Sequence, residues 1–157
     1  MRSPYEVFDA ARLQLATGVN LVEASAGTGK TYAIGMLVLR TLVEMEVPIE
    51  KILIVTFTKA ATEELQSRIR SRLVEARDLF ALKNREAETS HDTPLLNWAA
   101  TVTDQDKAYN LLQLALYDID RAGIFTIHGF CQRMLMEQAL ESGQLFDVEL
   151  LKDIHHV

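Results

Sequence analysis

The sequence predicts an α/β fold in which a parallel β-sheet is flanked by helices. Three observations predict it: short apolar runs rich in β-branched residues, longer segments with helical periodicity between them, and a glycine-rich loop where the first run meets the first helix. Strands that alternate with helices in this way pair in parallel and are joined by right-handed crossovers. We therefore expect a single α/β domain of the phosphate-loop type.

Composition narrows the class of protein. The 157 residues are 48% hydrophobic and 24% charged, as in an ordinary globular domain, so disorder is not expected. A net charge of −6 argues against gripping duplex nucleic acid by bulk electrostatics, although a local binding groove stays possible. One cysteine, no signal peptide and no long apolar run predict a cytoplasmic protein without a membrane span.

The first half of the chain predicts two strands and two helices. The runs "VNLVEA" (19–24) and "KILIVTF" (51–57) are typical of buried strands. Between them, apolar residues recur at helical spacing and Pro48 follows the end of the pattern: Ile34, Leu37, Val38, Leu42 and Met45. After the second strand a long amphipathic helix is indicated by Ala61, Leu65, Ile69, Leu73, Ala76 and Phe80.

The second half predicts a helical insertion at about 84–120 and then a third strand. Polar residues 84–94 indicate an exposed connection, and residues 95–120 have a helical pattern. "GIFTI" (123–127) is a short strand, and residues 128–142 are helical by pattern. We interpret Trp98 as a packing residue, Cys131 as buried, and the cluster of Arg68, Arg70 and Arg72 as a solvated, ion-paired helix face.

The stretch "ASAGTGKT" predicts a phosphate-binding loop. It follows a predicted strand, opens a predicted helix and matches the phosphate-loop pattern, with alanine at the first position where glycine is more usual. Its glycines let the backbone turn its N–H groups toward phosphate oxygens. We expect Lys30 to meet the β and γ phosphates of the nucleotide and the Thr31 hydroxyl to bind Mg²⁺. The candidate nucleotide-binding residues are Ala24, Ser25, Ala26, Gly27, Thr28, Gly29, Lys30 and Thr31.

A second acid that would help to hold Mg²⁺ is not evident. Asp118 and Asp120 follow an apolar run, but that run has helical spacing and exceeds a typical buried strand in length. We interpret both as exposed residues near a helix end. This weighs against ATP hydrolysis by this chain alone.

Two further strand–helix junctions, "VTFTKAATEEL" and "FTIHGFCQRML", carry aromatic and hydroxyl residues where each strand ends. Ligands of open parallel sheets gather at that edge. Phe57 offers a face on which a base can stack, and Thr56, Thr58, Thr126 and His128 offer polar groups for backbone phosphates. The alternatives are that Phe57 and Phe125 pack in the core and that His128 caps a helix.

The three motifs together resemble the first helicase motifs of the superfamily 1 translocases related to UvrD and PcrA. Within that superfamily, "LVEASAGTGKT", "IVTFTKAATEELQSRIR" and "FTIHGFCQRML" followed by "ESGQLFDVEL" are most similar to the RecB family, the beta subunits of exodeoxyribonuclease V. The resemblance runs from about residue 13 to 153. It departs from the wider superfamily at Lys59, where many members have asparagine, and at Ala60, where many have lysine.

This resemblance implies a RecA-like motor domain that uses ATP and Mg²⁺ to move along single-stranded DNA. The chain would be the N-terminal part, 1–157, of the first motor domain, in a helicase and exonuclease subunit that repairs and recombines broken duplex ends with RecC- and RecD-like partners. Lys30 and Thr31 would be its catalytic residues, and Phe57, Thr58, Lys59, Thr126 and His128 would touch the single strand. The acid motif, the second motor domain and the nuclease are not in these residues, so we expect a fragment that is not active alone.

Two other functions fit a phosphate loop in a chain of this length. A small-molecule kinase would need an arginine-rich lid and an acid for its acceptor, and neither is evident in the sequence. A non-catalytic module that binds nucleotide, DNA or a partner subunit is the second alternative.

Overall fold

The computed structural model describes residues 8–25, 27, 29–81 and 92–141. Its helices and strands follow in the order α1 (Lys30–Glu44), β1 (Leu53–Thr56), α2 (Lys59–Ala81), α3 (Thr93–Ala99), α4 (Gln105–Tyr117), β2 (Gly123–Thr126) and α5 (Ile127–Glu141). Single 3-10 turns, Ile49–Lys51 and Ile119–Arg121, lead into the two strands. The alternation of helices and strands confirms the predicted α/β class.

The sheet consists, in the described part of the chain, of β1 and β2 paired in parallel. Leu53 lies opposite Gly123, and Thr56 lies opposite Thr126, so the two strands end level with each other. Parallel strands need a long crossover connection, and here α2, α3 and α4 lie between them in the chain. The junctions that follow both strands therefore lie side by side.

The core lies between helices rather than around the sheet. Helix α2 packs against α1 and α4, and all three helices have completely buried side chains there, among them Leu39, Leu73 and Leu112. The predicted stripe on α2 is buried from Leu65 to Phe80, whereas Ala61 is exposed because it lies in the first turn, beyond the end of the core. Met45, predicted to continue the stripe of α1, is exposed because the helix ends at Glu44.

The prediction of a buried strand at 19–24 is wrong. The segment forms no strand, and Val19 and Leu21 are exposed to solvent. A buried parallel strand needs neighbours that bond its backbone and helices that cover both faces. In the described residues β1 and β2 pair with each other and not with this segment.

Other boundaries differ from the predicted ones. The helical stretch 95–120 is two helices, because the chain turns at 100–104 and the Asp104 side chain accepts a hydrogen bond from the Lys107 N–H to start α4. The strand predicted for 51–57 is only partly buried, since Leu53 and Val55 face solvent.

Two single side chains were also predicted. Cys131, predicted to be buried, is exposed, and it lies on α5, a helix that buries none of its described side chains in the core. Trp98 is buried, as predicted, with its ring edge-on to Phe80.

Candidate nucleotide and DNA site

The phosphate loop precedes α1 and has two glycines in the left-handed region of backbone conformation. Gly27 has φ 77° and Gly29 has φ 83°, values that side chains with a Cβ atom rarely adopt. A Cβ atom at Gly27 would meet no heavy atom within 4 Å, so lack of space is not the reason for glycine there. The positive φ angle is the reason. Ala26 and Thr28, two of the predicted nucleotide-binding residues, lie outside the described residues.

The N-terminus of α1 is arranged in a way that fits a phosphate group. Gly29 occupies the N-cap position and has no side chain that could bond the first amides of the helix. Those N–H groups carry the positive end of the helix dipole, which attracts anions. The residues present therefore fit the triphosphate of a nucleotide.

Lys30 turns its ammonium group back over the loop. Its Nζ donates to the carbonyl oxygens of Ala24 at 3.2 Å and Ser25 at 2.6 Å, and the residue is exposed. Thr31 follows in the first helical turn and is half-buried. The cation is thus held beside the loop by backbone oxygens.

The ends of β1 and β2 form a second cluster, which we call the rim (residues 56–59 and 126–128). Thr56 and Thr126 are opposite each other in the ladder. The Thr58 hydroxyl accepts the Ala61 N–H at 3.1 Å and starts α2, and the Thr126 hydroxyl accepts the Gly129 N–H at 3.1 Å and starts α5. The hydroxyls at Thr58 and Thr126 keep their own hydrogens, which remain available for donation to a phosphate.

Thr56 is engaged within the protein rather than presented to solvent. Its hydroxyl lies 2.6 Å from that of Thr62 and 3.2 Å from the Thr58 carbonyl oxygen. We therefore regard Thr56 as a residue that shapes the junction. The cap of α5 is Thr126, so the alternative role of His128 as a cap does not hold.

The aromatic and basic members of the rim face solvent. Phe57 is 87% exposed, which excludes the alternative that it packs in the core. Lys59 and His128 are also exposed. Phe125 is half-buried, beside Phe130 and under the Arg133 guanidinium.

The two aspartates weighed as a second acid lie where a helix ends. Asp118 ends α4 and pairs with Arg121 at 3.4 Å, and Asp120 lies exposed in the following 3-10 turn. Within the described residues no group of three or more His, Cys, Asp and Glu side chains is placed to bind a metal ion. Both aspartates lie near a helix end, as interpreted. Asp120 is exposed, but Asp118 is half-buried rather than exposed, because it lies where the chain turns from α4 into the 3-10 turn.

One cavity lies away from the phosphate loop. Its volume is about 590 Å³, and it opens beside the C-terminal end of α1, which is roughly 22 Å from the N-terminal end of that helix. Beside it the buried Arg40 donates to the Ala10 carbonyl oxygen at 2.9 Å and to Glu44 at 2.6 Å, and Glu44 accepts from Trp98 Nε1 at 2.7 Å. Burial raises the pKa of Glu44, but the hydrogen bonds from Arg40 and Trp98 outweigh it, and the pKa is lower than usual. These bonds fasten the residues before the loop to α1.

A cluster that the sequence patterns did not predict lies at the first turn of α1, which follows the phosphate loop directly in the chain. Tyr32, which follows Thr31, donates its hydroxyl to Asp92, and Arg72 bonds the same carboxylate. Arg72 was expected on a solvated face, but its side chain is only 13% exposed. Arg72 lies three residues after Ile69 and four before Ala76, beside the buried stripe of α2. This spacing could have predicted that its side chain is largely buried.

Comparison with known proteins places these features in a family. The family model for the UvrD/REP helicase N-terminal domain matches residues 7–156. RecBCD enzyme subunit RecB of Escherichia coli strain K12 is 45% identical over 157 residues, covering 94% of this chain and 13% of the relative. The subunit of the same name from Haemophilus influenzae is 42% identical, covering 86% and 12%, and that of Mycobacterium tuberculosis H37Rv is 36% identical, covering 85% and 12%. The chain thus spans about an eighth of the length of these relatives.

Among the described residues there is no helix that is both long enough and apolar enough to cross a lipid bilayer.

Proposed function

The chain belongs to the UvrD/REP helicase N-terminal domain family, and from this we propose that it binds Mg-ATP and single-stranded DNA as the N-terminal part of a RecB-like helicase and exonuclease subunit. The observation that carries the proposal is the phosphate loop: two left-handed glycines, an uncapped helix N-terminus and Lys30 lie together. The rim, with its exposed aromatic ring, supports the DNA part.

The nucleotide would be held by the backbone and by two side chains. The loop from Ala24 to Thr31 would bond the phosphates through its N–H groups, and Lys30 would exchange the carbonyl oxygens of Ala24 and Ser25 for phosphate oxygens. The Thr31 hydroxyl would bind Mg²⁺. Bound Mg-ATP supplies the free energy of hydrolysis that drives translocation in such motors.

The single strand would lie on the rim. Phe57 would stack on a base, a contact that tolerates any sequence because every base has a π-face. The hydroxyls of Thr58 and Thr126, with Lys59 and His128 beside them, would contact the phosphate backbone. Recognition through stacking and a few local groups suits a chain whose net charge is −6.

The activity of the whole protein is a further part of the proposal. We propose that it unwinds and degrades broken duplex ends in the cytoplasm, with RecC- and RecD-like subunits, during repair of double-strand breaks and recombination. The names of the relatives, which are subunits of the RecBCD enzyme, support this. We expect the 157 residues alone to bind nucleotide without turnover, since both described strands end in threonine and not in a carboxylate.

The decisive test is calorimetric titration of Mg-ATP into the wild-type chain and Lys30→Ala. We expect Lys30→Ala to weaken binding by roughly 1.5–3 kcal/mol, the usual contribution of a charged hydrogen bond. Lys51→Ala is the matched control, because Lys51 is also exposed but lies in the 3-10 turn before β1. Circular dichroism checks that the fold is kept. Equal affinity in Lys30→Ala and wild type would reject the role of Lys30, and no binding by wild type would reject the nucleotide part of the proposal.

A further inference from the structure

We propose that Arg72 is a positioning residue for the phosphate loop, acting through Asp92 and Tyr32 on the first turn of α1. The inference rests on the nucleotide binding proposed above and adds to it residues that lie outside the loop.

Tyr32 lies at the start of the helix that follows the phosphate loop. It is the third residue of α1 and follows Lys30 and Thr31 directly. Because Gly29 gives α1 no side-chain cap, no side chain at the N-cap position holds this turn. A capping side chain would compete with phosphate for the same amides. A turn that must keep its amides free needs to be held from elsewhere.

A hydrogen bond to Asp92 holds the Tyr32 side chain. Its hydroxyl donates to Asp92 Oδ1 at 2.7 Å, and the same oxygen accepts the Leu95 N–H at 3.0 Å, so Asp92 caps α3 and anchors Tyr32 together. Burial raises the pKa of Asp92, but the bonds from Leu95, Tyr32 and Arg72 outweigh it and the pKa falls below its usual value. Burial and the neighbouring carboxylate raise the pKa of Tyr32. At neutral pH the tyrosine is therefore the donor and Asp92 the charged acceptor.

Arg72 contacts both Asp92 and Tyr32. Its Nη1 donates to Asp92 Oδ2 at 2.5 Å and lies 3.1 Å from Glu75, while its guanidinium carbon lies 4.4 Å from the centre of the Tyr32 ring. The cation thus touches both partners of the tyrosine–aspartate bond. Such a cation–π contact is worth more when it is shielded from water, and Arg72 is largely buried.

The aliphatic part of Arg72 fixes where the guanidinium lies. Its Cβ and Cγ atoms are 3.8 Å from the position of a Cβ atom at Gly35, so the stem packs against α1 one turn below Tyr32. Arg72 therefore joins three helices: it belongs to α2, lies against α1 and bonds the cap of α3. Without Arg72, the partly buried Asp92 carboxylate would lose a charged hydrogen bond, and such a bond is costly to lose from a partly buried site.

The test measures Mg-ATP affinity and local opening of α1 in Arg72→Gln, with Arg68→Gln as the matched control. Arg68 lies one turn earlier on the same helix, is 68% exposed and pairs with Glu64 at 3.7 Å. We expect Arg72→Gln to weaken Mg-ATP binding three- to thirty-fold and Arg68→Gln to leave it within two-fold of wild type. Arg72→Lys, which keeps a positive charge near Asp92, should recover part of the loss.

Amide hydrogen exchange separates positioning from general destabilisation. The Ala33 N–H bonds the Gly29 carbonyl oxygen at 2.9 Å and reports on the first turn of α1. Arg72→Gln should accelerate exchange at Ala33 about ten-fold more than at the core amides of Ile69 and Leu112. A uniform acceleration, or none, would overturn the proposal.

A second variant decides the matter if Arg72→Gln does not fold. Tyr32→Phe removes only the hydroxyl and keeps the ring, and we expect it to weaken Mg-ATP binding two- to five-fold with the same local effect at Ala33. Wild-type behaviour of Tyr32→Phe would overturn the proposal. If wild type binds Mg-ATP and Lys30→Ala does not, while Arg72→Gln equals wild type, the positioning role fails and nucleotide binding stands. If wild type does not bind, both fail.

Discussion

The helical core and the rim place their apolar side chains in opposite ways. Between α1, α2 and α4, leucine and isoleucine side chains are removed from water completely, whereas at the rim Phe57 lies almost free in it. Burial of a large aliphatic side chain stabilises a fold by about 1.5–3 kcal/mol, and an exposed phenylalanine contributes none of this. The fold and the candidate DNA contact therefore depend on different residues, so stability and DNA affinity can be altered separately by mutation.

A substitution in the helical core is expected to change the free energy of unfolding most. Leu73→Ala should lower the free energy of unfolding by about 2–5 kcal/mol, because Leu73 is completely buried and its removal leaves a cavity. Leu135→Ala on α5 is the matched control, since that leucine is mostly exposed, and should change stability by less than about 0.5 kcal/mol. Urea denaturation measures both. Similar losses in the two variants would show that the core is not where stability lies.

The next largest change is expected in the DNA affinity of the rim. Phe57→Ala should weaken binding of a fluorescent oligothymidylate by roughly 1–3 kcal/mol, the usual value for a stacked base, and should leave the unfolding free energy nearly unchanged. Tyr117→Ala is the control, because Tyr117 is an aromatic residue of similar exposure, 85%, at the end of α4. Fluorescence anisotropy measures the affinity. Equal affinities of the two variants would remove Phe57 from the DNA contacts.

The smallest change in the free energy of unfolding is expected at two glycines that lie close to neighbouring elements. Gly35→Ala should raise the unfolding free energy by about 0.5–1 kcal/mol, because glycine inside a helix is costly and a Cβ atom there meets Arg72 at an ordinary contact distance of 3.8 Å. Gly123→Ala should have the opposite sign, since its Cβ would lie 2.9 Å from the Ile52 carbonyl oxygen. Thermal unfolding of the two variants checks the signs. A destabilised Gly35→Ala would mean that α1 and α2 are packed too closely to admit a methyl group.

Sequence patterns predicted the helices better than the strand boundaries. The period of the buried stripe on α2 is set within a single helix, so it can be read without knowing the neighbours. The segment 19–24 has the composition of a buried strand, but a strand exists only where another strand bonds it, and here none does among the described residues. The break between α3 and α4 depends on the Asp104 cap, a local signal that the apolar pattern concealed.

Glycine spacing and local periodicity along the chain encode the α/β class, the position of the phosphate loop before α1 and the two strand–helix junctions, so these features could be predicted without the structure. The three-dimensional arrangement was needed to show that Phe57 is exposed, that Thr58 and Thr126 rather than His128 cap the helices, and that Arg72 contacts Asp92 and Tyr32. Asp92 is 60 residues from Tyr32 and 20 from Arg72 in the chain. Contacts at such separations arise from helix packing, which no local pattern contains.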